Sequence, residues 1–306
     1  MGLHHNHVSR EEGDLKLIIS VTINVVLTIA QVIGGIISGS LSLIADALHN
    51  LSDAGALLLA LVARKIGRKS ADYDNTYGYA RAEVIGALIN LVTLVIIGLY
   101  LVYEAIWRLF QPEIITGWMV VIVASIALAI DVATALLTYA MSKESLNVKA
   151  AFLHNISDAL TSIGVIIAGI LIINFDLYIA DTIITLLIAG YVLFQGFSTL
   201  PRVIRILMQS TPADINIEDI IKEIEKIEQV SNIHHVHIWE LDEHDRALEA
   251  HVIVDTSDLT CVDKIKHEIK SILHKNFHIT HSTLEFEFGG VREGNLCDDL
   301  SVVPPH

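Results

Sequence analysis

Two short stretches of this sequence place a histidine and an aspartate at the same spacing. Residues 48–54 read LHNLSDA, and residues 153–159 read LHNISDA. Side chains four residues apart share one face of a helix, so each stretch presents one imidazole and one carboxylate together. Two such pairs facing each other supply the two nitrogens and two oxygens of a tetrahedral Zn²⁺ site. We therefore predict a metal site whose ligands are His49, Asp53, His154 and Asp158.

A local contact within each helix is the alternative interpretation of each histidine–aspartate pair. Both pairs, however, lie inside long apolar segments. There an ionisable side chain costs about 2.5–3.5 kcal/mol on insertion scales. His49 and His154 are also the only histidines between Arg10 and Pro212. The repetition of so costly a motif favours the metal site.

The composition is that of an integral membrane protein. Of the 306 residues, 53% are hydrophobic, which exceeds the usual share in a soluble domain. Segments of about 20 apolar residues are long enough to cross roughly 30 Å of hydrocarbon as helices. The sequence contains six, at residues 15–37, 41–62, 84–109, 118–141, 148–173 and 178–200. We therefore predict a polytopic α-helical membrane protein with six transmembrane helices.

The basic residues of the loops predict how the chain is oriented. Lys and Arg follow the second and fourth segments, whereas the loops at 38–40, 110–117 and 174–177 contain neither. The positive-inside rule then places both termini in the cytoplasm. The two motifs lie on oppositely directed helices three spans apart, as in the inverted three-plus-three repeats of transporters. Each motif is roughly 12–18 Å deep in the bilayer.

A soluble domain is expected after the last apolar segment. Helical spacing and strand alternation predict the order α-β-β-α-β, typical of a small two-layer α+β domain. The predicted elements are residues 217–227, 236–241, 248–254, 262–277 and 283–288. We divide the chain into a polar, histidine-containing tail (1–14), a membrane domain (15–208), a cytoplasmic domain (209–290) and a loose C-terminal tail (291–306).

The distribution of charge indicates which partners the protein has. The net charge is −15, and from Ser210 onward there are 20 Asp and Glu against 8 Lys and Arg. Ten of the 15 histidines lie in the same region. Such a surface repels nucleic acid and attracts cations, so we expect divalent metal ions and protons as partners. The apolar segments make the lipid bilayer a further partner. Two cysteines without a CxxC argue against a disulfide framework or a thiolate cluster.

Histidines and glutamates also coincide on the predicted strands of the cytoplasmic domain. His234 begins one strand, His251 lies within the next, and Glu285 and Glu287 lie on the last. Adjacent strands can bring imidazole and carboxylate together as a regulatory metal site. Taken singly, each histidine is better explained as a solvated surface group, and only their coincidence with the glutamates favours a metal site.

The chain resembles the cation diffusion facilitator family of divalent-metal exporters. The resemblance rests on the two His-xxx-Asp motifs, the basic first cytoplasmic loop, residues 40–58 (SLSLIADALHNLSDAGALL), residues 77–88 (YGYARAEVIGAL) and the HIW of residues 237–239. It implies a C-terminal ferredoxin-like, metallochaperone-like domain, proton-coupled antiport and a homodimer. It also implies that the two motifs form the transport site. The family's cytoplasmic metal site would fall on His234, His251 and Glu287, with weaker matches at Asp263 and Glu285.

One family feature is missing from this sequence. Some members carry a second site in the loop after helix two, formed by one Asp and two His. Here Asp72 matches, but Asn75 and Tyr79 stand at the histidine positions. We therefore expect no metal site in this loop.

These observations predict a secondary active transporter rather than an enzyme. We expect efflux of Zn²⁺ in exchange for protons across a bacterial inner membrane, with Zn²⁺ as substrate and regulatory ion and no organic cofactor. The alternatives are an exporter of Cd²⁺, Co²⁺, Mn²⁺ or Fe²⁺, an intramembrane metalloenzyme, or a passive channel. The sequence lacks the HExxH of a metalloprotease. A fully chelating site binds too tightly for fast conduction, which favours a carrier.

Overall fold

The computed structural model describes residues 25–141, 146–242, 245–288 and 302–303. The chain forms two compact units. The first comprises residues up to Leu61 together with Ile89–Thr199. The second comprises Val62–Leu88 together with the residues from Leu200 onward. Part of the first predicted helix, residues 15–24, lies outside the described residues, as do the N-terminal tail and most of the C-terminal tail.

Six helices account for the described chain up to residue 207. They are α1 (Val25–Ser38), α2 (Leu41–Gly67), α3 (Arg81–Phe110), α4 (Gly117–Met141), α5 (Leu146–Phe175) and α6 (Ile179–Leu207). Four of them, α3 to α6, contain stretches long and apolar enough to cross a membrane. The described part of α1 is shorter. Helix α2 is long but carries two aspartates as well as Arg64 and Lys65.

The helices expose large apolar side chains on one side and use small residues to pack on the other. Leu58 and Phe194 are among the exposed side chains, as expected for a surface that faces lipid. A Cβ atom added at Gly117 of α4 would lie 3.0 Å from the carbonyl oxygen of Gly169 in α5. Such close approach of two backbones is typical of membrane helix pairs. It holds α5, which carries Asp158, tightly against α4.

The second unit contains a three-stranded sheet with two helices. Its elements are α7 (Ile217–Ile224), β1 (Val230–Glu240), β2 (Arg246–Val254), α8 (Leu259–Phe277) and β3 (His281–Phe288). The sheet order is β1-β2-β3, with β1 antiparallel and β3 parallel to β2. Apolar side chains of both helices, including Ile220 and Ile269, are buried with Leu248 of the sheet. The predicted α-β-β-α-β order and the fold class of the chain are confirmed.

The first strand differs most from its predicted bounds. It begins at Val230, six residues before the predicted start. The reason is a β-bulge, in which His235 and Val236 lie opposite the single residue Ala250. A bulge inverts the side-chain alternation on one side of it, so the two halves of the strand do not share one period of two.

Candidate functional site

The two His-xxx-Asp motifs meet in the first compact unit. His49 and Asp53 project from α2, and His154 and Asp158 project from α5. The Nε2 atom of His49 lies 3.6 Å from Oδ2 of Asp53 and 3.5 Å from Oδ1 of Asp158. The Nε2 atom of His154 lies 3.2 Å from Oδ2 of Asp53 and 3.6 Å from Oδ2 of Asp158. Each imidazole therefore lies beside both carboxylates.

The four nitrogen–oxygen separations are close to the spacing of ligands around a tetrahedral metal ion, with Asp158 facing His49 through Oδ1 and His154 through Oδ2. One ligand atom each of His49, Asp53 and Asp158 lies within 4.8 Å of the other two. Ligand atoms about 2.1 Å from a Zn²⁺ ion lie about 3.4 Å from one another in a regular tetrahedron. The observed nitrogen–oxygen distances run from 3.2 to 3.6 Å. Three of them reach 3.5 Å or more, which is longer than an ordinary hydrogen bond. Only the 3.2 Å contact between His154 and Asp53 falls within the ordinary hydrogen-bond range, and a shared cation could hold all four side chains at this spacing.

The carboxylates of this cluster lack other partners that would offset their burial. Within the described part of the chain, Oδ2 of Asp53 and Oδ1 of Asp158 are buried and accept no hydrogen bond. Burying a carboxylate oxygen without a donor costs several kcal/mol, so such atoms require a cation or a proton. A divalent ion at the centre of the cluster satisfies both oxygens and neutralises both negative charges.

The four ligands differ in their access to solvent. His49 and Asp158 are 3% and 8% exposed. The side chains of Asp53 and His154 are 34% and 38% exposed. Both lie in the wall of a cavity of about 560 Å³. This volume holds many water molecules, at about 30 Å³ each, so a hydrated ion can approach the cluster from the side of Asp53 and His154.

Asp181 of α6 holds the N-terminus of α2. Its Oδ1 accepts hydrogen bonds from the hydroxyls of Ser40 at 2.6 Å and Ser42 at 2.5 Å, and its Oδ2 accepts one from the backbone N–H of Leu41 at 2.8 Å. The carboxylate is fully buried. A negative charge at a helix N-terminus satisfies free N–H groups and stabilises the helix dipole. The contact fixes the start of α2, eight residues before His49.

A second cluster of candidate ligands lies on the sheet of the other unit. One ligand atom from each of His234, His251 and Glu287 falls within 4.8 Å of the others. Oε1 of Glu287 lies 2.9 Å from Nδ1 of His251 and 3.6 Å from Nε2 of His234. Oε2 of Glu285 is 3.6 Å from Nε2 of His251 and largely exposed. These residues come from all three strands.

Asp263 is not in contact with this cluster among the described residues. It lies on α8, where its Oδ1 is 2.5 Å from Nζ of Lys266 and its Oδ2 is 3.6 Å from Nδ1 of His267. The hydrogen bond from Lys266 lowers the pKa of the Asp263 carboxyl. Within one chain, Asp263 therefore serves its own helix.

Comparison with known proteins identifies the family. The model of the cation efflux transmembrane domain matches residues 17–208, and that of the cation efflux cytoplasmic domain matches residues 212–288. The chain belongs to the cation efflux family. The resemblance to the cation diffusion facilitators is thereby confirmed, and the chain is a metal cation transporter rather than an enzyme.

Relatives of known name match the cation efflux chain over nearly its whole length. A Bacillus velezensis protein named cadmium, cobalt and zinc/H(+)-K(+) antiporter is 38% identical and covers 99% of this chain and 98% of its own. The zinc transporter ZitB of Pectobacterium atrosepticum is 34% identical, covering 96% and 90%. Among solved structures, a metal-bound C-terminal domain of the CzcD transporter from Cupriavidus metallidurans is 32% identical, covering 24% of this chain and 99% of its own, with a TM-score of 0.22.

The loop that carries a further metal site in some cation efflux proteins is a hydrogen-bonded turn here. Oδ1 of Asp72 accepts from the backbone N–H groups of Asp74 and Asn75, and Oδ2 accepts from the Tyr79 hydroxyl at 2.7 Å. The bond from Tyr79 lowers the pKa of Asp72, and the same bond raises the pKa of Tyr79. Both oxygens of Asp72 therefore serve the turn.

Several polar side chains around the membrane cluster were not predicted as partners from the sequence. Gln31 of α1 donates to Oδ2 of Asp46 at 2.6 Å and accepts from Asn50 at 3.2 Å. Ser162 donates to Oδ2 of Asp131 at 3.0 Å, which provides the partner of Asp131. Ser162 follows Asp158 by four residues, and this spacing was the available signal in the sequence. Asp181 and Gln31 stand alone in apolar segments and gave none.

Proposed function

We propose that this chain exports Zn²⁺ in exchange for protons, with His49, Asp53, His154 and Asp158 as the transport site. The observation that carries the proposal is the set of four nitrogen–oxygen distances of 3.2–3.6 Å. Two imidazoles and two carboxylates form a set that Zn²⁺ binds tetrahedrally. The names of the Bacillus velezensis and Pectobacterium atrosepticum relatives include zinc, which supports this substrate. Cd²⁺ and Co²⁺ are the alternatives that the same names support.

Competition between metal and protons at one site supplies the coupling. Imidazole binds a metal only in its neutral form, and its ordinary pKa is near 6.5. Metal that enters from the cytoplasm displaces protons from the cluster, and protons from the opposite side displace the metal. The negative charges of the two carboxylates stabilise either cargo, the bound metal ion or the bound protons. Alternating access to this one site then exchanges metal for protons.

We further propose that the cavity beside Asp53 and His154 opens towards the cytoplasm. Its lining includes Ala56 and Ala60, which follow Asp53 along α2 towards the end that carries Arg64 and Lys65. The positive-inside rule puts this basic end, and with it both chain termini, on the cytoplasmic side. The protein would then lie in the lipid bilayer of a bacterial inner membrane. Its domains would be residues 1–14, 15–208, 209–290 and 291–306.

The cytoplasmic domain is proposed to dimerise and to bind a regulatory metal ion. The family model that matches this region is named ZT_dimer, which supports it as the dimerisation domain. His234, His251 and Glu287 would be the principal ligands, with Glu285 in reach and Asp263 contributing only if another chain brings it close. Bound metal offsets repulsion between two acidic domains and thereby favours their association. No organic cofactor is proposed.

A zinc titration of the full chain in detergent tests both sites. We expect two bound ions per chain, one lost in Asp158→Ala and the other lost in His251→Ala. His274→Ala is the matched control, because His274 is an exposed histidine on α8 outside both clusters. Full zinc binding by Asp158→Ala would show that the membrane cluster is not the transport site.

A further inference from the structure

The edge strand of the cytoplasmic sheet contains a β-bulge at His235 and Val236. Strand β1 pairs with β2 on one side only, because the sheet order is β1-β2-β3. Its bulge places His235 and Val236 opposite the single residue Ala250, with His235 in the left-handed region at φ 51°. An edge with such a bulge leaves backbone groups outside the ladder. These groups need other partners where they are buried.

The backbone of Val236 finds its partner in the C-terminal segment. Val236 is buried, and a buried N–H group without an acceptor costs about as much as a lost hydrogen bond. The carbonyl oxygen of Val302 accepts this N–H at 2.7 Å. Sixty-six residues separate the two in sequence, so the bond brings the end of the chain back to the sheet edge.

The neighbouring residue, Val303, lines a cavity at the same edge. The cavity has a volume of about 460 Å³ and is also lined by His237, Trp239 and Tyr77. Tyr77 belongs to the loop between α2 and α3, and its ring packs edge-on against His281 at 5.6 Å between ring centroids. In addition, Nε of Arg81 donates to the carbonyl of Leu241 at 3.3 Å. The end of the chain, the sheet edge and this loop therefore meet within one compact unit.

The same bulge lies next to the second cluster of candidate metal ligands. His234 immediately precedes it. The ring of His235 stacks on that of His251, with centroids 4.7 Å apart and planes 16° apart. A change in the backbone at the bulge therefore moves the candidate ligand His234 directly. It also shifts the ring of His235, which packs on a second candidate ligand, His251.

We propose that Val302–Val303 is a latch that closes the edge of β1, and that latching is coupled to metal at His234, His251 and Glu287. The latch supplies the acceptor that the bulge requires, and Val303 forms part of the cavity wall at the same edge. Metal at the neighbouring cluster fixes His234 and so favours the bulge geometry that Val302 recognises. By linkage, the latch must strengthen metal binding by the same factor. The coupling rests on the proposed cytoplasmic site, whereas the docking of the segment does not.

Hydrogen exchange at the Val236 amide tests the docking in the full-length protein without metal. Two truncations form a matched pair, one ending at Val303 and one ending at Ser301. Both lose Pro304–His306, but only the second loses the latch. We expect the chain ending at Val303 to protect Val236 like the complete chain, and the chain ending at Ser301 to exchange this amide about fivefold faster or more. Val303→Asp, which places a charge beside Trp239, should behave like the shorter truncation.

Two outcomes would overturn the latch. One is equal exchange of Val236 in the two truncations. The other is a general rise of exchange over β2 and β3, because the segment would then support the whole domain rather than the edge. The coupling is measured separately, as the zinc affinity of the cytoplasmic site in an Asp158→Ala background. A drop of about threefold or more on removal of Val302–Val303 supports the coupling, and an unchanged affinity contradicts it.

Discussion

At the scale of single side chains, the ligands of the proposed transport site differ in exposure, and three of them, Asp53, His154 and Asp158, line the same cavity. Asp158 is buried, while Asp53 is one-third exposed. Exchange of either carboxylate for the isosteric amide removes one negative charge without changing the volume. We expect zinc affinity to fall by more than about 100-fold in Asp158→Asn, because even outer partners of metal ligands are worth 10–100-fold. Asp53→Asn should lose less, since water can replace an exposed oxygen. Isothermal titration in a His251→Ala background measures both, and an Asp158→Asn affinity within threefold of the parent would contradict the assignment.

Ligand identity at the same site should also set metal selectivity. Two imidazole nitrogens favour a small ion in a tight tetrahedron. His49→Asp adds a negative charge and a ligand that can bind through one or both oxygens. We expect this variant to keep zinc transport but to gain Cd²⁺ or Mn²⁺ relative to Zn²⁺. Initial uptake of each ion into vesicles at matched pH gradients measures the ratio. An unchanged cadmium-to-zinc ratio would mean that the lining beyond the ligands determines selectivity.

The meeting of the four candidate ligands was predictable from the sequence because their type and spacing are repeated. Helical periodicity puts residues i and i+4 on one face, and the duplication implies that the two faces meet. Gln31 and Asp181 could not be predicted in this way. Each contacts a residue on another helix at no regular spacing, and only the packing of the helices brings the partners together.

At the scale of helices, the contact between α6 and the start of α2 should position the site. Asp181→Ala leaves the hydroxyls of Ser40 and Ser42 and the N–H of Leu41 without their acceptor. Loss of a buried charged cap costs ~2 kcal/mol, so we expect a lower midpoint of thermal unfolding. The start of α2 also loses its contact with α6, so His49 and Asp53 of α2 should be positioned less firmly. The visible spectrum of bound Co²⁺ should then lose intensity as the tetrahedral geometry relaxes. Ser42→Ala should show a smaller change of both kinds. A normal Co²⁺ spectrum in Asp181→Ala would restrict Asp181 to a purely stabilising role.

The loop between α2 and α3 should tolerate changes that would destroy a metal site. Tyr79→Phe removes the hydroxyl that bonds Asp72 but adds no ligand and removes none. We expect zinc transport within about twofold of the parent, since surface changes of this kind have small effects. The pKa of Asp72 is lowered, so its charged carboxylate stabilises the turn at pH values above the ordinary pKa of aspartate, near 3.9. This stabilisation is lost as the pH falls below that value. Loss of transport in Tyr79→Phe would revive a functional role for this loop.

Element order was predictable from the sequence, whereas element ends were not. Periodicity found both helices and all three strands of the cytoplasmic domain. The start of β1 was placed six residues late, because the bulge at His235 and Val236 breaks the alternation on which the prediction depends. Helix α6 also runs through Pro201 to Leu207, since a proline removes one hydrogen bond but does not always end a helix.

At the scale of the whole molecule, the chain combines a transmembrane domain with a small α+β cytoplasmic domain. The apolar helices, the buried N2O2 cluster and the acidic, histidine-rich cytoplasmic domain are properties of one chain of the cation efflux family. Membership of the family settles that the cargo is a metal cation. The proposed chemistry of the site is the basis for three further proposals, namely the coupling to protons, the identity of the metal and the direction of transport.

The central claim is that one site exchanges Zn²⁺ for protons, and zinc flux into proteoliposomes with an imposed pH gradient tests it most directly. Each unit of the pH gradient is worth about 1.4 kcal/mol per proton exchanged. It therefore changes the final ratio of internal to external zinc concentration about tenfold per proton. We predict that an acidic interior drives zinc uptake by the parent protein, that a protonophore abolishes this uptake, and that Asp158→Asn shows none. Zinc uptake that proceeds at the same rate and to the same extent with and without the gradient would contradict the account.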